Sequence, residues 1–166
     1  MYLLHLSITS LVYATIQSDM KDTLLDPFVE RPDAEEVVQS AKNAIAKILE
    51  MGEDVRLEHR KSLLSRMIWK ITEAHGKYTA RYCSIAARNK QEGLRHEHVI
   101  PRKVLIDRLM KAPSDVESIL QDAIACTVTA EEHDSLSKVS EDVCGWDRYK
   151  RAKIPVIDRL KDERFI

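Results

Sequence analysis

Apolar residues recur at helical spacing through Val37, Val38, Ala41, Ile45, Ile48 and Leu49, and Gly52 closes the run. Asp33 ahead of it, with Glu36 three residues later, predicts a capped helix start. A second stripe through Leu57, Leu64, Met67, Ile68 and Ile71 predicts a helix from about Asp54 to Ala74, stopped by Gly76. Its polar side carries Arg56, Arg60, Lys61, Arg66 and Lys70, while Trp69 falls at helical spacing from the stripe and reads as core. A third, shorter amphipathic helix is expected from about Ala80 to Lys90 through Tyr82, Ile85 and Ala86, broken by Gly93.

The texture changes at Leu94. Residues 94–100 hold Val99 and Ile100 and stop at Pro101, which suits the end of a short strand or the first turn of a helix. Val104, Leu105, Ile106 and Leu109 then predict a helix from Pro101 to Met110, ended by Pro113, and a short helical turn follows from Ser114 to Leu120, with Ser114 as cap and Glu117 three residues on. Ala123–Val128 is a small, β-branched run that reads as a strand, and Thr129 with Glu132 three residues on predicts a capped helix from Ala130 to Lys138. Beyond it the chain is polar and turn-rich around Cys144-Gly145-Trp146, and a short apolar stretch spans 154–157. The pattern divides into a helical region, 1–93, and a strand-bearing region, 94–166, expected to form one compact α+β domain that is mainly helical.

Composition narrows the class. The chain has 166 residues, 44% hydrophobic and 32% charged, which excludes a disordered tail and a membrane-embedded protein. Four glycines, five prolines and 5% aromatics are a poor supply for an all-β sandwich or a surface of stacking rings. Cys83, Cys126 and Cys144 are odd in number and widely spaced, so neither a disulfide framework nor a metal knuckle is expected, and a cytoplasmic setting fits. The apolar stretch Tyr2–Ile16 contains His5, lacks cations ahead of it and falls short of about 20 apolar residues, so it reads as a packed helix or strand rather than a signal or a membrane anchor.

The net charge of −1 conceals a segregation. Residues 56–111 carry 14 basic and 5 acidic side chains, a net of +9, between acidic thirds of −6 and −4. A local positive field of this kind attracts phosphates whatever the overall balance.

Three of the six histidines, His96, His98 and His133, accompany Glu97 on a strand, strand, helix path that can converge on one divalent cation. His5, His59 and His75 have bland surroundings. His96 and His98 share one strand face, and with His133 they would make a three-histidine zinc site.

Glu97-His98-Val99-Ile100-Pro101 is similar to the opening strand of the HNH endonucleases, also called His-Me finger or ββα-metal nucleases, and Ala123–Val128 followed by Thr129-Ala130-Glu131-Glu132-His133-Asp134 resembles their second strand and helix. The resemblance covers about residues 94–138. It implies N-terminal helices packed with a C-terminal ββα-metal-like finger. It further implies a cytoplasmic metal-dependent endonuclease acting on nucleic acid, DNA before RNA, with Mg²⁺, Mn²⁺ or Zn²⁺. His98 would be the general base and Glu97 and His133 the metal ligands, with His96 and Asp134 as further candidate ligands. A neutral imidazole can deprotonate water near pH 7, while a cation stabilises charge developing on the phosphate. Because adjacent strand residues face opposite ways, Glu97 and His98 can serve one site only at a frayed, twisted strand end. Arg95, Arg102, Lys103 and Arg108 flank that strand as candidate contacts to the phosphate backbone, with Tyr78 and Tyr82 as candidate stacking rings. Such contacts carry little sequence preference, so a protein partner would supply specificity. The family usually has Asn or His near the start of the second strand, and residues 122–126 hold neither. The alternative is a non-catalytic nucleic-acid- or protein-binding module on a degenerate finger, in a mobile-element or defence system.

Overall fold

The computed structural model describes residues 28–88 and 90–166. The N-terminal stretch from Tyr2 to Ile16, with His5, lies outside them. The described chain forms seven α-helices and a five-stranded sheet, a mainly helical α+β arrangement.

Helices α1 (Ala34–Leu49) and α2 (Leu57–Thr72) pack along the stripes read from the sequence. Ile45, Leu64 and Ile68 are fully buried. With α4 (Arg102–Lys111) and α5 (Val116–Leu120) these helices enclose one apolar cluster, to which Leu105, Leu109 and Leu120 contribute. Two of the expected caps are replaced. Asp33 directs its carboxylate at Arg31, 3.0 and 2.7 Å away, and leaves the first turn of α1 uncapped. Ser114 lies in a 3₁₀ turn, Pro113–Asp115, and donates to Asp115.

The sheet has the order β2-β3-β1-β4-β5. Its central strand β1 (Tyr82–Ser84) pairs in parallel with β3 (Ala125–Thr129) and antiparallel with β4 (Val156–Asp158), while β2 (Leu94–His98) and β5 (Glu163–Arg164) form the edges. This overturns the helix expected over Ala80–Lys90. Only Ile85–Arg88, α3, is helical, because Cys83 is fully buried between two strands whose hydrogen bonds outweigh a weak local helical pattern. The sheet therefore interleaves a strand from the first region between strands of the second.

One sheet face is covered by α6 (Ala130–Ser137) and α7 (Trp146–Arg151), which enclose Val128, Leu136, Tyr149 and Val156. The opposite face, at the β2 end, meets the C-terminal turn of α2 through Trp69 and Thr72. Among the described residues no helix is long and apolar enough to cross a membrane.

Candidate functional site

Strands β2 and β3 pair antiparallel with Glu97 opposite Cys126 and His98 opposite Ala125. Thr129 ends β3 and caps α6 by a full capping box: its hydroxyl accepts from the Glu132 N–H at 3.2 Å and its own N–H donates to Glu132 Oε2 at 2.9 Å. That fixed exit angle brings His133, one turn into α6, down onto β2.

Glu97 and His133 meet there. His133 Nδ1 lies 2.6 Å from Glu97 Oε2, and the imidazole side chain remains 42% exposed while Glu97 is 8% exposed. The other oxygen, Glu97 Oε1, is 2.8 Å from Nη1 of Arg148 on α7. Arg148 is itself buried and also donates to the carbonyls of Leu136, at 3.3 Å, and His98, at 3.4 Å. Gly145, at φ 65° and ψ −148°, makes the turn into α7 in a conformation that side-chain-bearing residues avoid, and so sets the approach of Arg148.

His98 is elsewhere. Strand β2 is regular to its end, so His98 and His96 project from the face opposite Glu97, beneath Trp69, whose ring lies 5.2 Å from His96 and 5.3 Å from His98. Both Nε2 atoms converge on the Thr72 hydroxyl, at 3.0 Å for His96 and 3.2 Å for His98. Thr72 gives its own proton to the Trp69 carbonyl, which leaves two lone pairs for two imidazole N–H donors. Burial, then the neighbouring His96 and Arg102, push the His98 imidazole down to about 3. Burial likewise lowers His96, whose Nδ1 is enclosed with no hydrogen-bond partner among the described residues.

The candidate ligands thus divide between two faces. The shared face of His96 and His98 is present, but His133 is on the other, so the three-histidine set does not assemble. Asp134 is exposed on α6, outside the Glu97–His133–Arg148 cluster. Among the described residues no group of three His, Cys, Asp or Glu side chains converges as a metal cradle. Burial raises the Cys83 thiol to about 11 and Cys126 well above its usual value, which favours the neutral thiol at both.

The basic candidates also separate. Arg102 stacks its guanidinium 4.6 Å over the Trp69 ring and donates to Ser65, and Arg108 pairs with Asp122 at 2.9 Å. Arg95 and Lys103 are exposed, as are Arg66 and Lys70 on α2, and none of the four joins an ion pair among the described residues. Tyr82 is a packing residue against Trp146 and Phe165, and Trp69 is a half-buried lid over two histidines rather than part of the main core. Arg148 and Thr72 were missed from the sequence: α7 has only six residues, too few for a periodic pattern, and a lone threonine carries no signal.

No family model matches this chain, and no curated protein or solved structure matches it.

Proposed function

We propose that this protein is a nucleic-acid-binding module on an HNH-like strand, strand, helix finger, one that contacts the phosphate backbone without cleaving it. One observation carries the reading: the His98 imidazole lies on the opposite sheet face from Glu97 and His133, 6% exposed beneath Trp69. A base must reach the attacking water within hydrogen-bond distance of the phosphate held at the site, and His98 faces Thr72 instead. The resemblance to the nucleases supplies the finger and the phosphate; Arg66, Lys70, Arg95 and Lys103, exposed and in no ion pair among the described residues, supply sequence-independent contacts to it.

A second reading, a metal-dependent endonuclease, is favoured by the Glu97–His133 contact, which brings together the two residues the resemblance assigns to a cation. The two are separated on supercoiled plasmid with Mg²⁺, Mn²⁺ or Zn²⁺ against EDTA, run beside a gel-shift titration. The binding module retards DNA equally in EDTA and nicks nothing. Replacing Arg95 and Lys103 by Gln weakens retardation on every sequence and lowers the salt slope by about one for each phosphate no longer neutralised. Metal-dependent nicking abolished in His98→Ala would establish the nuclease instead, and a chain that binds protein but no nucleic acid would overturn both.

A further inference from the structure

A divalent cation at this finger would need the Glu97 carboxylate, and the structure gives that carboxylate another cation. Both of its oxygens are engaged, Oε1 by Arg148 and Oε2 by His133, and both charged partners of the ion pair, Glu97 and Arg148, are 10% exposed at the side chain. A guanidinium keeps its charge at any working pH and presents donors in a planar fork. Here that fork is fixed from three sides, by the carboxylate and by the carbonyls of His98 and Leu136. Its positive charge offsets the negative charge of the Glu97 carboxylate, and a divalent ion beside Oε1 would meet a like charge at close range in a poorly solvated place. The residues present therefore do not fit a resident Mg²⁺ or Mn²⁺.

We infer that the Arg148 guanidinium is the resident cation of the Glu97–His133 site, standing where a finger of this kind would bind a divalent metal. It ties the end of β2 to α6 and α7 and keeps Glu97 from burial without a counter-charge. The inference deepens the binding-module reading and rests on it, yet the two fail separately: nicking tests cleavage, whereas metal affinity tests the guanidinium.

The experiment titrates Mn²⁺ alone, by calorimetry and by thermal melting, into the full chain and into Arg148→Met, Glu97→Gln and the double variant. Wild type should take up no Mn²⁺ through Glu97, and Arg148→Met, with the carboxylate released, should bind at least about tenfold tighter, the scale on which groups around a metal site act. The double variant should lose that gain. If Arg148→Met fails to fold alone, Mn²⁺ should restore its folding while the double variant folds without the ion, and this carries the same conclusion. Wild-type Mn²⁺ affinity that disappears in Glu97→Gln would overturn the inference. So would an Arg148→Met chain that neither gains affinity nor is rescued by the ion.

Discussion

His98 is buried on the sheet face that Trp69 covers, and that burial makes a pH signature. In the unfolded chain it takes a proton near 6.5, whereas in the fold it refuses one until about 3, chiefly because burial penalises the charged ring. Above the unfolded value both states are neutral and the group is silent. As the pH falls below 6.5 the unfolded chain gains a proton that the folded chain does not, so stability is lost progressively down to about 3. The shift corresponds to a loss on the order of 5 kcal/mol at the acid end. His98→Gln, which keeps a side-chain N–H donor for Thr72, should therefore melt with a flatter dependence between pH 6.5 and 4 than the wild type. Parallel slopes for the two proteins would remove His98 as the cause. The motif around this residue was legible in the sequence, and so was the parity problem it raised. What the sequence did not contain was the regularity of β2 to its last residue or the Trp69 and Thr72 side chains, 29 and 26 positions upstream, that take up the ring.

At the scale of elements, short-range chemistry was a guide where no nearer partner competed: Asp33 turned to Arg31 and Ser114 to Asp115, but the third expected cap formed. Thr129 and Glu132 specify their own capping box through bonds three residues apart, and the box formed as the spacing required. The strand at 82–84 is the opposite case: three residues hold no period of their own, and its identity comes from partners at 126–127 and 156–158. The cap is also tied to that strand, since Ser84, fully buried on β1, donates to Glu132 Oε2 at 2.5 Å. Thr129→Ala should cost about 1 kcal/mol in urea unfolding, the usual penalty for a lost N-cap. Ser84→Ala should cost about 1 to 2 kcal/mol, because the carboxylate loses a buried donor. Their double variant should fall short of the sum, since both act on Glu132. Strict additivity would mean that the cap and β1 are independent.

For the whole molecule, the decisive fact is that residues 94–138 do not stand alone. Residues 94–138 carry the resemblance, but the sheet face on which α6 sits is sealed by Tyr149, Ile154 and Val156, all at most 5% exposed and all from beyond residue 138. The same C-terminal part contributes Arg148, and β4 supplies the antiparallel neighbour of β1. A chain ended after Lys138 thus bares Val128 and Leu136, leaves Glu97 without its guanidinium and turns β1 into an edge strand, paired with β3 alone. Loss of several buried apolar side chains at about 1.5 to 3 kcal/mol each is comparable with the whole stability of an ordinary domain. Such a chain should bind a hydrophobic dye and lose its cooperative melt, even though it retains every residue of the motif. If it melts cooperatively with an unchanged midpoint, the part ending at Lys138 is autonomous and the C-terminal elements are an appendage. The helical cluster of α1, α2, α4 and α5 has its own apolar centre, so residual helix in the far-ultraviolet spectrum is expected either way, and the dye and the melt are the readings that decide.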